Sequence, residues 1–271
     1  MPRFAANLSM LFTEVDFPER FAMARAAGFE GVEYLFPYAY PKDMLSQMLS
    51  DNQLTQVLFN LPPGDWDAGE RGIACLPERV EEFQAGVDQA IEYARALGCR
   101  QLNCLAGLKP VGLSEEIAWQ TLVENVAWAA DKLAEENITL CLEAINSRVD
   151  MPDFFLDTSG KVLALIEEVD ADNVRLQYDL YHMQIMEGDL VRSMECLLPW
   201  IGHIQFADNP GRHEPGTGEI NFSNVFAAID RMGYEGWVGA EYRPSAATGD
   251  SLDWFAAQGD RRYRRHPLTR S

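Results

Sequence analysis

Short apolar runs alternate with longer amphipathic stretches eight times along this chain. The runs occupy residues 3–8, 31–36, 55–60, 101–105, 138–143, 174–179, 203–207 and 237–241. Each is rich in Val, Ile, Leu and Phe and is bounded by Gly, Pro or charged residues, as strands are. The stretches between them carry helical spacing and helical punctuation. Asp16 and Pro18 open one that Gly28 closes. Pro77 and Glu78 begin another, in which Val80, Phe83, Val87, Ile91 and Ala94 recur at helical intervals until Gly98 stops it. Ser114 serves as an N-cap, with Glu115 and Glu116 well placed against the helix dipole. The same pattern predicts helices over 158–169, 189–200 and 221–232.

Strands separated by helices imply parallel βαβ units. Eight such units within about 250 residues is the count of an α/β fold of one kind, a single (β/α)8 TIM barrel. A doubly wound sheet is the alternative, but it seldom spends eight strands or ends nearly all of them on polar side chains. One barrel domain over 1–260 is therefore expected, followed by a basic tail over 261–271. Arg261, Arg262, Arg264, Arg265 and Arg270 in that tail have no acid among them, so it reads as a solvated, flexible extension. Its other reading is an arm that pairs with an acidic neighbouring subunit of a homo-oligomer.

Composition narrows the partners more than the fold. With 47% hydrophobic residues the chain has ample material for a core, which excludes disorder. Lys and Arg total 22 against 42 Asp and Glu, a net charge of −20. Nucleic acid calls for a basic surface and is not an expected partner, whereas an anionic small molecule needs only a local cation. The five cysteines form no CxxC pair. Cys104 and Cys141 lie inside strand-like runs as buried thiols, which fits a reducing cytoplasm. Arg3, Asn7 and Ser9 interrupt the opening residues, so no secretory leader is expected. No apolar stretch reaches transmembrane length, so no membrane partner is expected either.

Four of the later runs end on oxygen-bearing side chains: Glu143, Asp179, Gln205 and Glu241. They stand on strands five to eight. In a barrel, residues at the C-terminal strand ends meet at one mouth, where active sites are built. A lone acid in such a place is ordinarily a cap or turn residue. Carboxylates crowded together repel, and a cation offsets that repulsion. The set therefore reads as a divalent-cation site with two glutamates free to move protons; a hydrogen-bonded polar network is the alternative. All-oxygen donors favour Mg²⁺ or Mn²⁺ over Zn²⁺, and four histidines in the whole chain leave no His-rich zinc centre.

His182 follows Asp179 by three residues, a placement suited to contacting substrate or supporting a ligand. A Gly- and Pro-rich loop over 209–219 follows strand seven and carries Arg212, a forked donor for a carboxylate; a surface arginine in a structured loop is the plainer reading. Another long loop, 61–72, follows strand three. It combines an aromatic lid residue, Trp66, with Glu70 and Arg71, and is placed to close over substrate. Asn7, Asn60 and Asn103, near the ends of strands one, three and four, can supply neutral hydrogen bonds. Glu33 lies inside strand two, either as polar barrel lining or paired with a neighbouring base.

With these residues placed, the chain resembles the hydroxypyruvate isomerase family within the larger group of xylose-isomerase-like barrels. The resemblance rests on RFAANLSMLF, GFEGVEYLFPY, LPPGDWDAGERGIACLP, YARALG, the LEAIN segment, LQYDLYHMQIMEGDL, GHIQFADNPGRHEPGTGEIN and GWVGAEYRP, which span positions 3 to about 244. 2-oxo-tetronate isomerases are similar in the opening MPRFAANLSM, while GDWDAGERGIACLP and DLYHMQ are closer to hydroxypyruvate isomerases. The resemblance implies that Glu143 and Glu241 are the paired acid and base. It also implies a metal shell of Glu143, Asp179, Gln205 and Glu241, and a substrate contact from His182. Many relatives have histidine where Gln205 stands.

The activity so implied is an aldose–ketose isomerisation of a small hydroxy-oxo acid. Hydroxypyruvate and 2-hydroxy-3-oxopropanoate (tartronate semialdehyde) would interconvert by glutamate-mediated proton transfer through a metal-stabilised enediolate. Arg71 or Arg212 would anchor the substrate carboxylate, with Glu70 and Asn60 also in contact. A 2-oxo-tetronate isomerase or ketose epimerase is the nearest alternative. A metal nuclease on the same barrel predicts many histidines and a basic face, and the chain has neither. A non-catalytic binding barrel would hold ligand without exchanging its C–H.

Overall fold

The computed structural model describes residues 2–257. Eight parallel strands close a barrel in chain order: β1 (Arg3–Asn7), β2 (Gly31–Glu33), β3 (Thr55–Asn60), β4 (Gln101–Cys104), β5 (Thr139–Glu143), β6 (Val174–Asp179), β7 (Ile201–Phe206) and β8 (Trp237–Ala240). Pairing of β1 with both β2 and β8 completes the ring. The helices are α1 (Phe17–Ala26), α2 (Lys42–Asp51), α3 (Val80–Leu97), α4 (Glu115–Ala134), α5 (Ser159–Val169), α6 (Leu180–Met186), α7 (Leu190–Leu197) and α8 (Phe222–Met232). This is the (β/α)8 TIM barrel that the alternating pattern predicts. The basic tail over 261–271 and its boundary at 260 lie outside the described residues.

Helix ends follow local chemistry. Ser114, Thr158 and Asn221 each accept a backbone N–H from the residue three positions on, so α4, α5 and α8 begin where short polar side chains cap them. Gly98 ends α3 at φ 64°, a left-handed conformation that costs glycine little. Two helices escape the pattern reading. The start of α2, after Pro41, has no side-chain cap, and α6 spans only seven residues. The second strand also stops at Glu33 rather than at 36. Its register with β3 shifts between Val32 and Glu33, and the Leu35 N–H then donates to Ser9 Oγ at 2.9 Å.

The main apolar core lies between the barrel wall and the helices, where Phe21, Leu45, Val87, Leu122, Leu165 and Phe226 are buried. Inside the barrel the apolar part is small: Ala5, Val57, Leu58 and Cys141, with Trp237 packed against them. Arg3 stacks on that indole at 3.9 Å. The interior also holds polar groups, since Glu33, Gln177 and His203 are wholly buried. Cys104 and Cys141 are buried free thiols, and desolvation pushes Cys104 up to about 12, which leaves it unreactive. No helix among the described residues is long and apolar enough to cross a membrane.

Candidate active site

Glu143 and Asp179 are the last residues of β5 and β6, Gln205 is the penultimate residue of β7, and Glu241 directly follows β8. All four are buried. Parallel closure brings them to one mouth, as their shared strand-end position predicts. Ligand atoms of Glu143, Asp179 and His182 all lie within 4.8 Å of one another, a cluster able to hold a metal ion. Asp179 Oδ1 accepts the Tyr181 N–H at 2.8 Å, while its Oδ2 has no hydrogen-bond partner. Above the acids opens a cavity of about 560 Å³, walled in part by Asn60, Trp66, Arg71, His182, Arg212 and Arg243.

Burial raises every carboxyl of this group, because a low-dielectric site penalises the charged form. Glu241 is pushed up to about 8 by burial and by its acidic neighbours, against a lowering from Arg212. Asp179 reaches about 6 for the same leading reason, again opposed by Arg212. Glu143 is held well above the ordinary range by burial, then by repulsion from Glu241 and Asp179. Such a group is poised to take up a hard cation. The unpartnered Asp179 oxygen and the neighbouring Glu143 carboxylate fit a divalent ion, whereas both oxygens of Glu241 already accept hydrogen bonds, from Arg212 and from Asn7 and Gln205.

Gln205 presents something different from a ligand oxygen. Its Nε2 donates to Glu33 Oε1 at 2.7 Å and to Glu241 Oε2 at 2.5 Å, while its Oε1 accepts from Gln177 Nε2 at 2.6 Å. Two carboxylates on one side decide which end of the amide faces them. Glu33 also meets His203 Nε2 at 2.7 Å and accepts from Asn7 Nδ2 at 3.2 Å. It therefore both lines the barrel and pairs with a base. Room for it comes from Gly239, where a Cβ would sit 2.3 Å from Glu33 Oε1. Asn7 Nδ2 bonds Glu241 Oε2 at 3.0 Å, so both Asn7 and Gln205 connect Glu241 to the barrel interior.

The sequence-predicted binding residues divide. Asn60 lines the cavity and accepts from Asn103 Nδ2 at 3.2 Å, and Asn103 in turn donates to Glu143 Oε2 at 3.0 Å. Arg71 also lines it, stacked on Trp66 at 4.1 Å and donating to the carbonyls of Trp66 and Glu70. Trp66 packs edge-on against Phe36. Glu70 is not brought to the cavity. It accepts from Arg79 Nη1 at 2.6 Å and from the Asp65 N–H at 2.5 Å, and so pins its own loop. Gly64 faces that carboxylate, and a Cβ there would fall 2.1 Å from Glu70 Oε2. Arg212 is buried, and its carboxylate partners are the protein's own: Glu241 at 2.7 Å, with Asp179 and Asp150 each at 3.9 Å. Its loop is organised by Asp208, whose carboxylate accepts the N–H groups of Asn209, Gly216, Gly218 and Ile220.

Three cavity-side residues escape the sequence reading. Arg243 lines the cavity two residues beyond Glu241, and Asp150 faces Arg212. Asn146 lies against His182 at 2.7 Å. A signal for Asn146 was present, since it follows Glu143 by the same three residues by which His182 follows Asp179.

Residues 21–258 match a family described as a xylose isomerase-like TIM barrel. The chain is 52% identical to the hydroxypyruvate isomerase of Escherichia coli strain K12, across 94% of this chain and 98% of that one. It is 46% identical to the 2-oxo-tetronate isomerase of Cupriavidus necator over the same shares of both. Among solved structures, a Brucella melitensis protein described as an AP endonuclease of family 2 superposes with a TM-score of 0.93 at 48% identity. That superposition covers 95% of this chain and 99% of the other.

Proposed function

Since this chain belongs to the hydroxypyruvate isomerase family of xylose isomerase-like TIM barrels and is an isomerase, we propose that it interconverts hydroxypyruvate and 2-hydroxy-3-oxopropanoate. The observation that carries this reading is the pair Glu143 and Glu241, buried beside one cavity, with both carboxyl pKa values raised by burial and that of Glu241 brought to about 8. A group that titrates near working pH can both take and return a proton.

Glu143, Asp179 and Glu241 would hold the divalent cation. When bound, that ion polarises the substrate oxygens and acidifies the C–H between them. One of the two glutamates, ionised, takes the proton from the hydroxyl-bearing carbon and leaves an enediolate. The other, protonated, delivers a proton to the neighbouring carbon while the hydroxyl proton passes between the two adjacent oxygens of the enediolate, so the carbonyl moves by one atom and the proton count is unchanged. Arg71 anchors the substrate carboxylate, since stacking on Trp66 and two backbone carbonyls already fix its guanidinium. Arg212 is engaged with Glu241 and serves the acids instead.

A four-carbon substrate is the second reading. It is favoured by the cavity of about 560 Å³, which leaves room beyond a three-carbon acid, and by the similarity to 2-oxo-tetronate isomerase. A nuclease role of the kind in the Brucella protein's description suits this chain poorly, because a net charge of −20 repels a polyanion. Assay of the purified protein on hydroxypyruvate and on 2-oxo-tetronates, with and without chelator, separates the substrates. Hydroxypyruvate turnover that chelator abolishes is the expected result, and turnover of neither acid overturns the substrate assignment. In deuterated water the product should carry solvent deuterium; a product without it replaces proton transfer by a hydride shift.

A further inference from the structure

Asn146 and His182, each three residues beyond a strand-end acid, meet behind the cavity wall. Asn146 Nδ2 lies 2.7 Å from His182 Nδ1. Which way this amide faces is decided by its other partners. Its Oδ1 accepts the backbone N–H groups of Val149 and Asp150, each at 2.9 Å, and its Nδ2 donates to Asp150 Oδ2 at 2.6 Å. Turned over, the amide would set its NH₂ against two N–H donors and its oxygen against a carboxylate. His182 Nδ1 therefore meets a donor and must accept.

The ring is buried at the cavity wall, and a bare Nδ1 makes it uncharged, since an imidazolium carries hydrogen on both nitrogens. A neutral imidazole that accepts through one nitrogen carries its hydrogen on the other. The surroundings of Nε2 agree independently, since Glu143 Oε1 and Asp179 Oδ2 stand 3.7 and 3.6 Å away on that side. Two acceptors facing the nitrogen favour an N–H there over a lone pair.

We propose that Asn146 is a positioning residue that fixes His182 as the Nε2–H tautomer, so that the imidazole offers a hydrogen-bond donor to a substrate oxygen and stands outside the metal shell. A nitrogen that carries hydrogen has no lone pair to give to an ion. Ligation through Nε2 would move that hydrogen to Nδ1, directly against the Asn146 NH₂. The cluster of Glu143, Asp179 and His182 is thus two ligands and a donor, despite the short distances within it. The donor has a use in the reaction proposed above, on which its catalytic consequence rests. As the C–H proton leaves, charge develops on the substrate oxygen, and a fixed N–H stabilises it without reorganising.

The tautomer is read by long-range proton–nitrogen correlation NMR on protein labelled with ¹⁵N-histidine, the His182 signals being assigned by their loss in His182→Gln. Hydrogen on Nε2 with Nδ1 bare is expected, unchanged when Mg²⁺ is added. Hydrogen on Nδ1, or loss of the Nε2 hydrogen on adding Mg²⁺, overturns the proposal. Asn146→Asp keeps the side-chain shape and its backbone bonds but offers His182 an acceptor. It should bring a hydrogen to Nδ1 and lower kcat by about a hundredfold with far less change in KM. An unmoved tautomer in that variant, or a moved one with normal kcat, also overturns it. Because the NMR measurement needs no substrate, a failure of the isomerase assignment leaves its outcome untouched.

Discussion

Arg212 Nη2 donates to Glu241 Oε1 at 2.7 Å and stands 3.9 Å from Asp179 Oδ2, so a loop outside the barrel sets a permanent cation among the strand-end acids. Arg212 is 8% exposed, with its backbone at φ 59° in the left-handed region that an arginine seldom adopts. The surrounding loop, gathered on the Asp208 carboxylate, holds it there. Its charge lowers the pKa of both Glu241 and Asp179 but does not cancel their burial, since Glu241 still stands at about 8. The acids are therefore only partly compensated and keep a raised affinity for protons, for which the proposed cation would compete.

Glu241→Gln should cut kcat for hydroxypyruvate by roughly two to four orders of magnitude, the usual range for a lost general acid or base. Glutamine keeps the shape and can still pair with Arg212 through its oxygen. It removes one of the mutually repelling acids but sets its NH₂ against the Asn7 and Gln205 donors, so the two effects on stability oppose one another and turnover is the readout. Near-normal turnover would take Glu241 out of the proton-transfer role.

Stability should depend on pH and metal together. The folded pKa values of Asp179 and Glu241, about 6 and about 8, lie above the unfolded ones of roughly 3.9 and 4.3. A raised pKa means that the folded state binds more protons, so this contribution is full below about pH 4 and is lost as pH rises through 6 and then 8. A divalent cation competes with those protons. Its stabilising effect should grow with pH, giving a larger rise in melting temperature at pH 8.5 than at pH 6. Thermal melts with chelator and with Mg²⁺ at the two pH values check this, and equal shifts at both would count against it.

The barrel was legible because each level of local information agreed. Strand-like runs, the caps at Ser114, Thr158 and Asn221, and Gly98 after α3 all point to the same alternation. The acids at the strand ends were legible too, since only position along a strand was needed to bring them to one mouth. What the chain hid is direction. Residue identity does not reveal which end of the Gln205 amide faces the acids, because that depends on Glu33 arriving from β2. Glu70 sits one residue before Arg71 on a cavity loop, yet Arg79 draws it away from the cavity. Arg212 was placed in the right loop, but its partners are protein carboxylates set by packing across the mouth.

Substrate anchoring should separate Arg71 from Arg212. Among the described residues no acid pairs with the guanidinium of Arg71 or Arg243, and both line the cavity. Replacing Arg71 with Met keeps a long apolar stem over Trp66 and removes the charge, so KM for hydroxypyruvate should rise by about tenfold to a hundredfold with a smaller change in kcat. One lost charge-assisted hydrogen-bond partner accounts for that range. Arg212→Met should act chiefly on kcat, because its partner is Glu241. Steady-state kinetics on the two variants decide it, and a kcat-only effect at Arg71 would move the anchor to Arg243.

The last prediction concerns Gln205, which ties the interior acid Glu33 to the mouth acid Glu241 through one NH₂ group. In Gln205→Leu both carboxylates lose a buried donor of their own. A hydrogen bond to a charged group contributes roughly 1.5–3 kcal/mol, and a buried acceptor left alone costs its desolvation as well. Asn7 still reaches both acids, and His203 still holds Glu33, so the loss should stay near 3 kcal/mol rather than the sum of the two bonds. Gln205→Glu makes the sharper contrast. It preserves volume but turns a shared donor into a third acid facing two others, which only protonation can relieve. Its stability relative to the parent should therefore fall as pH rises, whereas Gln205→Leu depends on pH far less. Urea unfolding of both variants at pH 6 and pH 8.5 reads the difference. A Gln205→Leu protein within 1 kcal/mol of the parent, or a Gln205→Glu protein indifferent to pH, would mean that this amide does not govern the charge of the site.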